Sequence, residues 1–415
     1  MSSPLHRRLW YRVRPAAPRP SIGGFVKPGF EPVREAFEAN FVRQREVGAS
    51  FAVHHRGELV VDLWGGTADP HTGRPWARDT PMVVFSATKG MAALRMLQLA
   101  EQGRFDPDEP VASYWPAFGQ HGKDAITGRM ILNHRAGLSA IDEPLTLADF
   151  DGDHRKVRRG MEAMRPMWTP GSAQGYAACS YGAFVGELHR RVTGGQSIGA
   201  GFAESVAEPL GLDTWIGAPD EVIGRAARLI PAGRSTLLTR QLPSVLARRT
   251  NEAKLFRRIL RKGSDTRRAF ENPHMEGRFE AMNDPANLRL ELPWMGALTT
   301  ARSLSRMYAA VVGEVDGVRL VSPASVEAIA QRQSFQGSDN IIVKSIGWSQ
   351  GFVKEEDGMF SPTPRAFGHP GAGGALGWAD PDRQLGIGYT MNRMDWRIRS
   401  PRSIALCEAV YASLA

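Results

Sequence analysis

Strand patterns occur at both ends of this 415-residue chain, and a long helical stretch separates them. Near the start, residues 49–55 and 58–64 are predicted to form two strands joined at Arg56-Gly57, a pair typical of a hairpin turn. The strand patterns near the end cover residues 341–348, 365–369, 374–380 and 385–392. Because one sheet can pair both sets, we predict an α/β (α+β) fold, with an antiparallel sheet from both chain ends, flanking helices and an inserted helical lobe.

The chain is long enough, and at 42% apolar residues rich enough, to bury the cores of two lobes. Residues 1–30 are dense in Arg and Pro and are predicted to form an irregular N-terminal arm. Residues 31–85 and 295–415 are predicted to form the α/β lobe, and residues 86–294 the helical lobe. Within the helical lobe, residues 220–290 are dense in Arg and low in Gly, and we predict that they form a cap or insert.

A serine and a lysine stand one helical turn apart where the first helix of the middle stretch begins. A short apolar run precedes Ser86, a helical pattern follows it, and Lys89 projects from the same face. No other serine of the sequence has a lysine three residues later. A helix N-terminus supplies free N–H groups for an oxyanion, and a buried amine of lowered pKa can accept a hydroxyl proton. The pair indicates a nucleophile with its own base, although a helix cap beside a solvated lysine is the simpler interpretation.

Two further segments could complete such a site. Tyr176 lies in a turn-rich passage before a predicted helix, where it can relay a proton or simply pack in the core with a tethered hydroxyl. Residues 368–374, with the sequence Gly-His-Pro-Gly-Ala-Gly-Gly, separate two predicted strands. This density of glycine indicates either close approach of the backbone to a ligand or a bulged strand. Trp348 and Trp294 are candidates for a pocket wall, with aromatic core packing as the alternative.

Taken in order, Ser86-Ala-Thr-Lys89, Tyr176 and His369-Pro-Gly371 resemble the three motifs of the serine β-lactamase and penicillin-binding-protein superfamily. The resemblance is strongest to its class C-like branch, the family VIII carboxylesterases and lipases. It covers residues 35–412 and is weakest over 220–290. The flanking segments that also resemble family landmarks are residues 132–138, 207–212 and 386–392.

The resemblance implies a β-lactamase-like fold with the site between the two lobes. It implies Ser86 as the nucleophile, Lys89 as its base and Tyr176 as the proton relay. An oxyanion would lie between the backbone N–H groups of Ser86 and Ala372. The oxyanion and substrate-binding residues would be Ser86, Ala372, His369, Gly371 and Trp348. The resemblance implies no metal and no other cofactor.

Two positions depart from the family's motifs and bear on the substrate. Ala178 stands where lactamases usually carry an Asn that binds an acylamino group, and His369 stands where they usually carry a Lys for the substrate carboxylate. A histidine of ordinary pKa is mostly neutral at pH 7. We therefore expect hydrolysis of a small-molecule carboxylic ester through an acyl-enzyme on Ser86. The alternatives are β-lactamase or D-amino-acid peptidase activity of the same site, and a catalytically silent binding protein.

Two other serines fit a different hydrolase pattern. Ser197 is the serine of a full G-x-S-x-G, and Ser180 lies in a near match in which Ala178 replaces the first Gly. A nucleophile elbow needs a strand before the serine, whereas Ser197 follows a predicted helix and is expected to be a helix N-cap. Ser180 precedes a helix, and with His369 as a partner it stays a minor alternative.

The charge pattern argues against nucleic acid as a partner. The net charge is +9, but the basic residues are mostly Arg spread along the chain, without a finger, RNP or phosphate-loop motif. Residues 242–262 are basic and amphipathic. An ordinary surface helix is the simplest interpretation of this segment. A cap over a pocket, or a peripheral contact with an anionic membrane, is the alternative.

The sequence has no apolar run of about 18 residues, and its N-terminal residues lack the apolar region of a secretion signal. Its two cysteines, Cys179 and Cys407, do not indicate a disulfide framework, and its histidines show no metal-ligand spacing. We therefore expect a cytoplasmic protein, with association at a membrane surface as the alternative.

Overall fold

The computed structural model describes residues 21–232, 250–354, 356 and 358–415. Over these residues, a 10-stranded sheet is accompanied by a small 3-stranded sheet. The strands are β1 (Ile22–Val26), β2 (Gly48–His55), β3 (Glu58–Asp69), β4 (Arg74–Pro75), β5 (Met82–Val83), β6 (Thr214–Ile216), β7 (Ala297–Thr299), β8 (Ser334–Gln336), β9 (Ile346–Ser349), β10 (Phe352–Lys354), β11 (Phe367–Pro370), β12 (Leu376–Asp380) and β13 (Leu385–Met391).

Helices connect and cover these strands. The α-helices are α1 (Glu31–Arg43), α2 (Ala87–Glu101), α3 (Val111–Tyr114), α4 (Gly128–Leu132), α5 (Arg155–Ala163), α6 (Ser180–Thr193), α7 (Ile198–Phe202), α8 (Glu208–Leu210), α9 (Asp220–Arg225), α10 (Asn251–Leu260), α11 (Asp265–Glu271), α12 (Pro285–Arg289), α13 (Ala301–Val312), α14 (Pro323–Ala330) and α15 (Pro401–Ser413). A π-helical turn (Ala203–Ala207) joins α7 to α8, and the 3₁₀ turns are Pro116–Gly119, Leu147–Phe150, Arg278–Asn283 and Ala372–Gly374. None of the described helices is long and apolar enough to cross a bilayer.

The two ends of the chain meet in the middle of the large sheet. Its strand order is β1-β3-β2-β13-β12-β11-β10-β9-β8, with β4 beside β3, and the neighbouring strands are antiparallel. The pairing of β2 with β13 places Ala49 opposite Met391 and His55 opposite Leu385. The predicted fold, an antiparallel sheet from both chain ends with flanking helices and an inserted helical region, is therefore confirmed. The lobe boundaries at residues 86 and 294 stay predictions.

Helix α13 covers the centre of this sheet at very short range. A Cβ atom on Gly386 would lie 2.3 Å from the carbonyl oxygen of Ser305, and one on Gly388 would lie 2.1 Å from that of Ala301. Only glycine permits such an approach of a helix to a strand. The two glycines of β13 therefore let the helix backbone seal the sheet where the two chain ends join.

The small sheet carries the segment that leads to Ser86. Its order is β5-β7-β6, with Met82 opposite Thr299 in the β5–β7 pair. The helix that follows, α2, is buried along its whole length from Ala87 to Leu99, rather than on one apolar side only. A helix that is buried all round forms the centre of a core. The start of α2 is therefore held between packed elements.

The predicted strand over residues 341–348 is wrong in its first half, because β9 begins only at Ile346. The carboxylate oxygen Oδ1 of Asp339 accepts hydrogen bonds from the N–H groups of Ile341 and Ile342, at 2.8 and 2.9 Å. A backbone N–H that is bound to a side chain is not available to a strand partner. The apolar run is therefore a buried turn.

The predicted N-terminal arm is also wrong over residues 22–26, which form β1 and pair with β3. Gly24 has a φ of 97°, and a Cβ atom there would lie 1.8 Å from the carbonyl oxygen of Asp62. Glycine at this point lets the strand lie against β3 in a conformation that other residues avoid. Residues 1–20 of the predicted arm lie outside the described residues.

Candidate active site

The backbone around Ser86 runs from a strand directly into a helix. The N–H of Val84 extends the β5–β7 pairing by donating to the carbonyl of Ala297 at 3.0 Å. Phe85 then adopts a left-handed conformation, with a φ of 47°, and Ser86 occupies the N-cap position of α2. A bulky residue at positive φ is strained by about 1–3 kcal/mol and persists only where its surroundings fix it. Phe85 is fully buried, so the turn holds Ser86 in one place.

The hydroxyl of Ser86 does not cap the helix that it precedes. Its Oγ lies 2.8 Å from the hydroxyl oxygen of Tyr176 and 3.3 Å from Nζ of Lys89. The interpretation of Ser86 as a simple helix cap is therefore wrong. The structure brings together three residues that the sequence motifs singled out, one of which lies 90 positions further along the chain.

Lys89 is completely buried, so the alternative of a solvated lysine is wrong as well. Its Nζ contacts two backbone carbonyls in addition to the serine, Ala178 O at 2.8 Å and Trp294 O at 3.1 Å. A neutral amine has two N–H donors and one lone pair. With both N–H groups bound to carbonyls, the lone pair is directed at the hydroxyl of Ser86, which is the geometry that a base requires.

Burial lowers the pKa of Lys89 to about 7. A charged ammonium loses its hydration in the interior, and its contacts here are neutral oxygens rather than carboxylates. Burial also raises the pKa of the Cys179 thiol to about 11, so this neighbour is uncharged at pH 7. A large fraction of Lys89 is therefore neutral near pH 7 and able to accept a proton.

The hydroxyl of Tyr176 is protonated in the resting site. Burial raises the pKa of Tyr176 well above its ordinary value, and its O–H donates to Oγ of Ser86. Its ring stacks on Trp348 with centroids 5.9 Å apart, and Nζ of Lys89 lies 4.9 Å from the centre of the tyrosine ring. Of the two groups beside Ser86, Lys89 is therefore the better base and Tyr176 the better donor.

His134 holds the loop that carries Tyr176. Its backbone carbonyl accepts from the N–H of Gly175, and its Nδ1 accepts from the N–H of Ala177, both at 3.0 Å. Burial, with the nearby charge of Lys89, keeps the pKa of His134 well below its ordinary value. The ring is therefore neutral, with its proton on Nε2. Sequence reasoning missed this residue, although it lies in the landmark segment 132–138.

Asp339 holds the same loop from another part of the chain. Its Oδ1 accepts from the N–H of Tyr176 at 3.0 Å, in addition to the two N–H groups of the buried turn described above. Burial raises the pKa of the Asp339 carboxyl, while these hydrogen bonds act in the opposite direction. Sequence reasoning missed Asp339 too, because no motif surrounds it. Tyr176 is thus fixed by backbone hydrogen bonds on both sides.

His369 lines the cavity beside Ser86 as a neutral acceptor. Its Nδ1 lies 2.8 Å from the carbonyl oxygen of Pro370. Because a carbonyl only accepts, Nδ1 carries the proton and Nε2 is left as the acceptor. Burial, with a smaller effect of the charge on Lys89, lowers the pKa of His369 to about 3. The side chain therefore offers no positive charge for a substrate carboxylate.

The glycine-rich turn after His369 packs directly against the segment that precedes Ser86. A Cβ atom on Gly371 would lie 2.1 Å from the carbonyl oxygen of Val84, so only glycine allows this approach. The N–H of Gly371 donates to the carbonyl of Ala375 at 2.6 Å and is already used. Ala372 begins the next 3₁₀ turn and lines the same cavity as Ser86. The glycines therefore serve backbone packing that brings Ala372 to the cavity.

A cavity of about 1290 Å³ adjoins Ser86. The predicted site residues that line it are Ser86, Tyr176, Trp348, His369, Gly371 and Ala372. Lys89 is absent from the lining contributed by the described residues, and so is Trp294, which offers its carbonyl to Lys89 and packs its ring on Phe150. Helix α10, from the predicted cap, contributes Leu255 and other apolar side chains. Residues 242–249 of the predicted amphipathic helix lie outside the described residues.

The two rival serines are engaged elsewhere. Ser197 is the predicted N-cap, since its Oγ accepts from the N–H of Ala200 at 3.2 Å, and it also donates to Glu291 at 2.6 Å. Ser180 is buried and donates to the carbonyl of Leu138 at 2.7 Å. Neither serine lines the cavity beside Ser86. Among the described residues, no three His, Cys, Asp or Glu side chains are grouped so that they could hold a metal ion.

The sheet, the buried α2 and the inserted helices together form a β-lactamase-like fold. The chain belongs to the beta-lactamase family, because the family model described as Beta-lactamase matches residues 33–407.

Named relatives and solved structures agree with this assignment. The esterase/beta-lactamase LipL of Mycobacterium tuberculosis is 32% identical over 394 residues, which cover 94% of this chain and 87% of that protein. A crystal structure of a family VIII carboxylesterase superposes with a TM-score of 0.83 at 36% identity, covering 95% of this chain and 100% of the other. A penicillin-binding protein homologue from Caulobacter crescentus superposes with a TM-score of 0.80 at 35% identity, with the same coverage of both chains.

Proposed function

We propose that this protein is a serine carboxylesterase that hydrolyses neutral esters through an acyl-enzyme on Ser86. The observation that carries the proposal is the placement of the Ser86 Oγ between the amine of Lys89 and the hydroxyl of Tyr176, at 3.3 and 2.8 Å. The esterase names of two relatives and the likeness to a family VIII carboxylesterase support a hydrolase of this kind.

The neutral amine of Lys89 starts the reaction. It takes the proton as the O–H bond of Ser86 breaks, and Oγ forms a bond to the ester carbonyl carbon. The carbonyl oxygen becomes an oxyanion, which the backbone N–H groups of Ser86 and Ala372 would stabilise. When the carbon–oxygen bond to the alcohol breaks, the alkoxide takes a proton from Tyr176, which Lys89 then replaces.

The second half of the reaction reverses these proton transfers. A water molecule loses a proton to the neutral pair of Lys89 and Tyr176, and its oxygen attacks the acyl carbon. The bond between that carbon and Oγ breaks, and Ser86 recovers its proton. The products are a carboxylic acid and the free enzyme.

Two features of the site favour a neutral ester as the substrate. His369 is uncharged and presents an acceptor nitrogen, so it cannot form an ion pair with a substrate carboxylate. Ala178 has no side-chain amide to bind an acylamino group, and its carbonyl is bound to Lys89. Activity on β-lactams at the same serine is the second candidate, because the M. tuberculosis relative is named for both activities.

Hydrolysis of p-nitrophenyl butyrate by the wild type and by Ser86→Ala tests the proposal. We expect a burst of p-nitrophenol of one equivalent per active site, followed by slower turnover, since the acyl-enzyme is an intermediate. The Ser86→Ala variant should lose the burst and at least about 1000-fold in kcat. A folded variant that keeps most of the activity would contradict the proposal. Nitrocefin, followed by its colour change, measures the second candidate under the same conditions.

A further inference from the structure

Apolar side chains from residues 250–283 form one part of the cavity lining, which we call the apolar wall. Its members are Leu255, Phe256, Ile259, Phe270, Met275 and Phe279. The first three come from α10, one from α11 and two from the segment that follows. Two separate helices and a loop thus converge on one lining.

The apolar wall begins beside the reacting atoms. The ring of Phe270 lies 6.4 Å from the ring of Tyr176, centre to centre. The ring of Phe279 packs edge-on against Phe85, the residue before the nucleophile, with centroids 5.3 Å apart. A group attached to an ester at Ser86 would therefore contact this wall from its first carbons onward.

The side chains of the wall are only partly covered by the protein. Leu255, Phe256, Ile259, Phe270 and Met275 are half-buried, and Phe279 remains 36% exposed. Contiguous apolar surface that is left open to water marks a binding site in soluble proteins. The wall therefore has exposed apolar surface that a bound ligand would cover.

Three charged groups on the rest of the lining are satisfied within the protein. Asp395 pairs with Arg397 at 3.1 Å, and Glu356 pairs with Arg332 at 2.9 Å. The amine of Lys354 donates to the carbonyl of Arg365 at 2.8 Å, and burial lowers the pKa of Lys354 to about 7. These three groups need no ionic ligand, and the apolar wall itself favours an apolar one.

The size of the cavity points the same way. Sites for drug-sized molecules range from about 300 to 1000 Å³. The cavity here, at about 1290 Å³, exceeds that range. An acetate or propionate ester would leave most of it filled with water.

We propose that this site selects esters that carry a long or bulky apolar group, and that α10 binds that group. The inference rests on the proposed function, because it names the substrate class of the same serine. Each buried methylene then contributes to binding, with an upper limit of about fourfold in kcat/KM.

Two ester series in which the chain length varies test this inference. The first contains p-nitrophenyl alkanoates of two to eight acyl carbons, and the second n-alkyl acetates with two to eight alcohol carbons, followed by acid release. We expect kcat/KM to rise on the order of 100-fold along at least one series. The series that rises shows whether the acyl or the alcohol group occupies the wall.

Two substitutions on one helix separate the wall from the rest of the surface. Ile259→Asp places a charge on the wall, whereas Leu260→Asp changes a neighbour that is 58% exposed and does not contribute to the cavity lining. We expect Ile259→Asp to lower kcat/KM for the eight-carbon ester about tenfold and for the acetate less than twofold. Leu260→Asp should leave both values unchanged.

The outcomes distinguish this inference from the proposed function. Hydrolysis of the acetate with kcat/KM flat or falling beyond four carbons in both series would overturn the inference and leave the function intact. Equal chain-length profiles for the wild type and a folded Ile259→Asp would overturn the role of α10. No turnover of any ester, with no burst at Ser86, would overturn both.

Discussion

The side chains that line and support the cavity fall into two groups, which differ in burial and in hydrogen bonding. The polar floor consists of Ser86, Lys89 and Tyr176, with His134 and Asp339 behind them. Ser86 is half-buried and the other four side chains are buried, and each is held by hydrogen bonds to backbone or to a neighbour in the cluster. The apolar wall is partly exposed, and its side chains make no hydrogen bonds. In the proposed mechanism the polar floor holds the reacting atoms in place, whereas the apolar wall provides apolar surface for the rest of the substrate.

This difference predicts a separation of chemistry from selectivity. In the proposed mechanism, groups of the polar floor act on the atoms common to every ester, so a change there should lower the rates of short and long esters by the same factor. Groups of the apolar wall act on the remote part of the substrate, so a change there should alter the ratio of those rates. Substitutions in the polar floor test whether short and long esters are affected equally.

Replacement of Lys89 should have the largest effect. Lys89→Met keeps the length of the side chain but removes the lone pair, and we expect kcat to fall by about 1000-fold for the acetate and the octanoate alike. The matched control is Lys123→Met. Lys123 is equally buried and donates to two backbone carbonyls, Glu162 O and Met164 O, both at 2.7 Å, but contacts no serine.

The control variant should lose thermal stability and keep its kcat per folded molecule. Its two carbonyl partners would be left without a donor, which destabilises by about 1–3 kcal/mol for each buried group. Steady-state kinetics and thermal unfolding of both variants make the comparison. A Lys89→Met protein that is folded and retains a tenth of the wild-type kcat would contradict the assignment of the base.

The pH dependence should report the same lysine. Since burial lowers the pKa of Lys89 to about 7, the base is neutral above that pH and protonated below it. We expect kcat/KM to be level above pH 8 and to fall tenfold per unit on the acid side, to about 100-fold below the plateau at pH 5. The pKa of His369, about 3, lies too low to produce this limb. An acid limb with a midpoint near 4 to 5 would point to a carboxylate instead.

Removal of the Tyr176 hydroxyl should lower kcat somewhat less than replacement of Lys89. Tyr176→Phe keeps the ring that stacks on Trp348 and removes only the donor to Oγ of Ser86. We expect kcat to fall about 100-fold with KM within threefold, because the hydroxyl acts in proton transfer rather than in binding. A fall confined to long esters would place Tyr176 with the apolar wall in function and would remove it from the proton relay.

The smallest effect is expected for Asp339, which positions Tyr176 through its backbone. Asp339→Ala leaves three N–H groups without their acceptor, and we expect a fall of about tenfold in kcat with little change in KM. Asp339→Asn keeps an acceptor oxygen and should recover activity to within threefold of the wild type. If both variants lose thermal stability without this difference in kcat, Asp339 is only structural.

The residues of the polar floor could be predicted from the sequence only in part. Ser86 and Lys89 were accessible because a helical turn places them on one face, so their spacing carries the chemistry. Tyr176 and the segment from His369 to Ala372 needed the family resemblance to be connected with them. The burial of Lys89, which lowers its pKa, could not be predicted from the position of a lysine in the first turn of a helix.

His134 and Asp339 could not be predicted, for a physical reason. Their bonds go to the backbone N–H groups of Ala177 and Tyr176, which are 43 and 163 positions away in the sequence. Every residue except proline carries the same backbone N–H, so the residue that donates such a hydrogen bond cannot be recognised from the sequence. Asp339 also explains the wrong strand at 341–348, because its carboxylate takes the N–H groups that a strand would use.

The overall fold could be predicted from the sequence better than its short strands. The strand patterns at 49–55, 58–64 and 385–392 predicted the strands that join the two chain ends. Strands of three residues, such as β6 and β7, are too short for a period to be recognised. β7 is nevertheless the strand that pairs with β5, in the segment leading to Ser86.

The most direct test of the account is the site and pH dependence of labelling by a fluorophosphonate. Peptide mapping should place one adduct on Ser86, and the labelling rate should rise with pH through a midpoint of about 7 in the wild type. The Lys89→Met variant should label at least about 100-fold more slowly at pH 8. An adduct on Ser180 or Ser197 with Ser86 unmodified would contradict the account.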